Sequence, residues 1–240
     1  MARFALLLLV LLLLAGCGGE SEPPDPEPEV PAGAERGTTV AALGDSITAG
    51  SPLYDPDPEQ REANGFGDDP ESQYEYWAAE ANQELDFVNC GVSGERTDQI
   101  AERLPECTED ADLVIVQGGI NDLAQALGPD PQEMRDAINS AAANIDGMLA
   151  EAEELGLNAA VANLLPWNNG HPASDQPIKR LNDQIAEIAK RRGVPLLDFH
   201  DALESTDVPG TMAPQYTDDG DHPSIEGYRI LGELVANKLG

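Results

Sequence analysis

From Thr38 to the C-terminus, short apolar runs alternate with longer segments of helical period, and this alternation restricts the fold more than any other feature. The runs TTVAALG, LDFVNC, DLVIVQGG, LNAAVANLLP and VPLLDFH fit strands buried on both faces of a parallel sheet. The helical segments between them would form the crossovers and cover both faces, giving one α/β domain. The clearest helix carries Ala137, Ile138, Ala141, Ala142, Ile145, Met148, Leu149, Ala152 and Leu155 on one stripe. Asp130 with Glu133 resembles a capping pair, Pro131 suits the first helical position, and Gly156 can close the end. Leu181, Ile185, Ile188 and Ala189 mark another helix before Gly193, and Ile225, Tyr228, Leu231 and Val235 mark the last. A helical stretch near Tyr74 to Gln83 follows a long insertion, residues 51–73, rich in turn formers, and a loop of that length is commonly functional.

The N-terminal stretch MARFALLLLVLLLLAGCGG has one basic residue, an apolar block and small residues before Cys17, the pattern of an export signal. Its apolar block is shorter than the roughly 20 residues a membrane-spanning helix needs. LAGC, Leu14–Cys17, resembles the bacterial lipoprotein box, in which Cys17 becomes the lipid-modified first residue; a soluble secretory signal is the alternative. The following segment, ESEPPDPEPEVPAGAERG, is too rich in proline and carboxylates to bury a core and reads as an extended tether. The expected organisation is a signal over 1–16, a tether over 17–37 and a folded domain over 38–240, exported and lipid-anchored on the outer face of the cell membrane. A net charge of −32, from 45 acids against 13 Lys and Arg, excludes nucleic acid and anionic lipid as partners through repulsion. Membrane contact is therefore expected through the N-terminal anchor alone. The acidity fits adaptation to high salt or an ordinary acidic exported protein. With Cys17 in the leader, Cys90 and Cys107 remain. Export permits a disulfide, but a single straight helix between them would part the two by more than about 10 Å. Free thiols are the expectation.

Ligands of an open parallel sheet collect at the carboxyl ends of its strands. The motifs there are GDSIT, NCGVSG, GGIND and, after the last strand and a long loop, DDGDHPS. A serine hydroxyl is a poor nucleophile until a base takes its proton, and a histidine oriented by a carboxylate is the usual base. Of the three histidines, His171, His200 and His222, the last follows Asp219 by three residues, an offset that brings side chains together in a tight bend. Ser46, His222 and Asp219 are thus the candidate nucleophile, base and orienting acid. Asp218 and Asp221 are competing acids, and His171 is a rival base that lacks a carboxylate at the right offset. Read structurally instead, Ser46 is a helix cap and His222 a surface residue before Pro223. For a developing oxyanion the candidate donors are the N–H groups of Ser46 and Gly91 and the amide of Asn121. Trp167, in LLPWNNGHP, is placed to stack on a sugar or acyl group, or to anchor its loop. The acids of TDDGDHPS do not follow EF-hand spacing, so no metal is expected there.

Taken together, Ser46, Gly91, Asn121 and His222, each in its motif and in this order, resemble the SGNH or GDSL hydrolase superfamily over roughly residues 39–239. The resemblance implies a flavodoxin-like three-layer α/β/α sandwich on a five-stranded parallel sheet and hydrolysis of carboxylic esters through an acyl-serine. It implies no metal or organic cofactor. Small-molecule or carbohydrate esters are the expected partners, with carbohydrate acetyl esters and lysophospholipids both suiting the fold; sparse aromatic content and the absence of an apolar lid favour short acyl groups. Two alternatives stand beside hydrolysis: acyl transfer from the same acyl-serine, and a surface lipoprotein that binds without turnover. The block between Ser46 and Gly91 is longer and more acidic than in compact members, which leaves the acyl pocket undefined.

Overall fold

A computed structural model describes residues 37–240. The predicted signal, Cys17 and the tether up to residue 36 lie outside the described residues. Five strands form one parallel sheet: β1 (Thr38–Gly44), β2 (Leu85–Gly91), β3 (Leu113–Val116), β4 (Asn158–Ala162) and β5 (Leu196–Leu197), in the order β2-β1-β3-β4-β5. This is the flavodoxin-like order, in which the chain leaves β1 first toward one edge and then toward the other. Among the described residues ten α-helices surround the sheet: α1 (Ser46–Ala49), α2 (Pro58–Asn64), α3 (Tyr74–Ala81), α4 (Thr97–Glu102), α5 (Leu104–Cys107), α6 (Ile120–Ala126), α7 (Pro131–Glu154), α8 (Asp175–Arg192), α9 (Phe199–Leu203) and α10 (Ile225–Leu239).

Alternation along β1 builds two cores at once. Ala41 and Leu43 face Val114, Val116 and Val161 beneath α4 to α8, whereas Val40 and Ala42 face Ile115, Ala160 and Ala162 beneath α1, α3, α9 and α10. A strand with side chains of period two thus reads as one apolar run because both faces are covered. The stripe of α7 packs on the first core, and Asp130 caps its N-terminus by accepting from Gln132 N at 2.8 Å, with Pro131 in the first turn. Leu155 departs from that stripe: it follows the helix and is 54% exposed. On the second face α10 lies so close to α3 that a Cβ at Gly232 would stand 2.5 Å from Tyr74 O.

Three sequence expectations are corrected. VPLLDFH is not one strand; β5 ends at Leu197, because Asp198 caps α9 by accepting from Asp201 N, and Phe199 enters the core from that helix. Cys90 and Cys107 are not free thiols but a disulfide, with Cα atoms 6.1 Å apart. The expected straight helix is broken at Arg103 into α4 and α5, and the second piece returns Cys107 to the end of β2. The insertion over 51–73, predicted as loop, contains α2, capped by Asp57 and closed by Gly65 at φ +69°.

Candidate active site

The crevice lies where the strand order reverses, beyond the carboxyl ends of β1 and β3. Ser46 is the first residue of α1, set immediately after β1 by the Asp45 cap, whose carboxylate accepts from Ile47 N at 3.0 Å. His222 reaches it from the loop before α10: Nε2 lies 3.2 Å from Ser46 Oγ. Asp219 Oδ2 is 2.8 Å from His222 Nδ1, while Asp219 Oδ1 accepts from the backbone N–H groups of Asp221 and His222, each at 2.8 Å. Partial burial raises the Asp219 pKa, but the His222 ring and those two N–H groups outweigh it and hold the carboxyl below its usual value. The three residues therefore form one chain from hydroxyl through imidazole to an ionised carboxylate.

Two of the competing residues, Asp221 and His171, are engaged elsewhere. Asp221 Oδ1 accepts from Trp167 Nε1 at 2.5 Å. His171 does have a carboxylate partner, contrary to the sequence expectation: Asp175, one helical turn on, is 3.0 Å from its Nδ1. Neither His171 nor His200 lines the cleft that holds Ser46. His200, Asp201 and Glu204 have potential ligand atoms within 4.8 Å of one another, but they border a separate cavity and Glu204 Oε1 already accepts from Gly210 N.

Gly91 does not sit as the sequence suggested. Its N–H donates to Asn89 Oδ1 at 2.9 Å, and a Cβ there would stand 2.0 Å from Ala49 N. It is the glycine that lets β2 pass under α1. Three residues later Gly94 has φ +85°, nothing within 4 Å of its Cβ position, and an N–H without a partner among the described residues. The signal for it was present in the same NCGVSG motif, whose second glycine follows a serine at a turn. Asn121, second residue of α6, lines the cleft and donates one Nδ2 hydrogen to Glu95 O at 2.9 Å. The amide carries a second hydrogen. Ser46 N–H, in the first turn of α1, has no partner among the described residues.

The cleft has a volume of about 210 Å³. Its apolar wall comes from Ile47, Ile120, Ala124, Leu164, Leu165 and Trp167. Below the nucleophile, Asp45 is fully buried with Oδ2 unpartnered; burial pushes its pKa up to about 6 against the opposing bonds from Ile47 N–H and Gln117. The insertion is tied to this rim through Ser93, whose hydroxyl meets Ser51 Oγ at 2.9 Å and Asp55 Oδ2 at 3.2 Å.

Residues 42–230 match the model of the GDSL-like lipase/acylhydrolase family. The chain belongs to that family. As a GDSL-family protein it is a carboxylic ester hydrolase. No curated protein sequence matches it. Among solved structures, it is similar to a protein assigned to the lipolytic G-D-S-L family from Desulfitobacterium hafniense, with 21% identity, a TM-score of 0.66 and coverage of 83% of this chain and 98% of that one. A lipase from a goat rumen metagenome shares 23% identity at a TM-score of 0.64, covering 83% and 96%. A catalytic mutant of an acetylxylan esterase from Geobacillus stearothermophilus shares 20% at a TM-score of 0.64, covering 85% and 94%. At these identities the likeness is one of fold. The GDSL hydrolase thus shares with all three the layered α/β architecture that brings its strand-end loops to one rim.

Proposed function

We propose that this GDSL hydrolase is a serine esterase for short-acyl esters, working through an acyl-serine. Ser46 attacks the ester carbonyl as His222 takes its proton, and Asp219, held ionised, orients the ring and balances the imidazolium. His222 then protonates the leaving alcohol. Water, deprotonated by the same imidazole, releases the acid and restores the serine. The tetrahedral oxyanion is held by Ser46 N–H, Asn121 Nδ2 and Gly94 N–H, the last taking the place first assigned to Gly91. What carries the reading is the continuous Ser46–His222–Asp219 chain, at 3.2 and 2.8 Å.

The small cleft supports a short acyl group, since sites for drug-sized ligands run to roughly 300–1,000 Å³. Trp167 bounds that space and, through Asp221, steadies the loop that carries His222. A carbohydrate is a fitting alcohol half, in keeping with the acetylxylan esterase of like fold. We extend the proposal to location: the leader and Cys17 would export and lipid-anchor the enzyme, with the acidic tether as spacer.

Labelling with a fluorophosphonate tests the serine, and p-nitrophenyl esters of graded chain length with acetylated xylo-oligosaccharides test the substrate. Labelling of the wild type but not of Ser46→Ala, with acetyl and propionyl esters preferred, is the expected result. A folded wild type that resists the probe contradicts the mechanism; a preference for long chains contradicts the substrate class.

A further inference from the structure

One side chain outside the reacting groups touches the segments that supply two of the proposed oxyanion donors and, through Glu95, is linked to the third. Arg103, at the break between α4 and α5, donates from Nη1 to Cys90 O at 2.7 Å and from Nη2 to Gly44 O at 3.1 Å. Its Nε and Nη2 both reach Glu95 Oε2, at 2.9 and 2.7 Å. The pair is largely shielded, with 25% and 17% of the two side chains exposed. Gly44 lies two residues before Ser46, Cys90 is the penultimate residue of the strand from which the Gly94 loop departs, and Glu95 follows Gly94 directly. Glu95 also passes the restraint on, because its carbonyl accepts from Asn121 Nδ2.

We infer that Arg103 is a positioning residue that sets the Ser46, Gly94 and Asn121 donors in register with one another, by clamping the ends of β1 and β2 to the loop between β2 and α4. The clamp needs a planar fork. A guanidinium presents five donors in fixed directions, and this one meets two carbonyls and a carboxylate; an ammonium is a point charge that cannot span all three. Oxyanion stabilisation depends on donors fixed before the charge appears, so a loosened clamp weakens transition-state binding while the ground state is held by the apolar cleft as before. The effect belongs in kcat rather than KM.

The inference rests on the proposed serine mechanism, and a double-mutant cycle tests it with acetyl ester turnover as readout. Arg103→Lys is expected to lower kcat about tenfold or more with KM within about twofold, and to cost a smaller factor when introduced into Asn121→Ala, because one of the three donors it positions is already gone. Glu95→Gln, which keeps the volume but not the charge, repeats the pattern more weakly and serves should Arg103→Lys fail to fold. Turnover like the wild type's, a change confined to KM or thermal midpoint, or losses that multiply in full with Asn121→Ala would each overturn the inference. Ser46→Ala, run alongside, separates the two ideas: if it still turns over, the serine mechanism has failed, whereas an inactive Ser46→Ala with an innocent Arg103 overturns the clamp alone.

Discussion

In the proposed mechanism Ser46 draws its reactivity from His222 and, through it, from Asp219, so its neighbours rank by what their loss leaves behind. Asn121→Ala removes one of the proposed oxyanion donors and should lower kcat by about 100-fold or more in ester hydrolysis assays; an unchanged rate would remove it from the site. The two glycines of NCGVSG separate by stability. Gly91→Ala drives a Cβ into the α1 backbone and should fail to accumulate as folded protein, whereas Gly94→Ala meets open space and loses only about 1–2 kcal/mol for its left-handed backbone, read as a modest shift in urea midpoint. Asp45 gives the pH signature. Its folded pKa, pushed up to about 6, exceeds the unfolded value, so it favours the fold most at low pH and that stability is lost as pH rises from about 4 through about 6. Asp45→Asn keeps an N-cap and should gain about 2–3 kcal/mol over the wild type at pH 8 and little at pH 4 in urea titrations. Equal gains at both pH values would show that burial does not raise this carboxyl. Ser46, Asp219 and His222 were legible in the sequence because motif and spacing name them. The Gly94 turn was not, since choosing between two glycines requires knowing that the Asn89 side chain has already taken the N–H of Gly91.

Legibility at the level of elements follows how local the deciding interaction is. The long helix α7 could be read almost to the residue from its cap, its proline and its stripe. β5 could not, for an Asp198 cap within an apolar run turns strand into helix after two residues. The disulfide was missed for a related reason: Pro105 in the first turn of α5 marks a fresh helix start, and only the bend before it brings Cys107 beside Cys90. A bridge spanning 17 residues restricts the unfolded chain by about 3 kcal/mol on the loop-entropy scale. Replacing both cysteines with serine should therefore lower the urea midpoint correspondingly. Because the loop it closes contains Gly94 and Arg103, esterase activity should fall at a lower urea concentration than in the oxidised wild type. Matching midpoints in the two proteins would contradict a stabilising bridge.

At the scale of the whole molecule, charge sets the terms. An excess of 32 negative charges means that added salt screens more repulsion than attraction, despite ion pairs such as Asp146 with Arg191. The thermal midpoint should rise between about 0.1 M and about 2 M NaCl, measured by circular dichroism; a falling midpoint would show that local pairs outweigh the net field. The sheet order then does the rest, carrying a hydroxyl from the end of β1 to an imidazole 176 residues away. The most direct test of that convergence is rapid acid quench during turnover of p-nitrophenyl acetate, followed by peptide mass spectrometry. The account predicts an acetyl group on the peptide containing Ser46 in the wild type and none in Ser46→Ala; turnover with no adduct, or with the adduct on another residue, would contradict it.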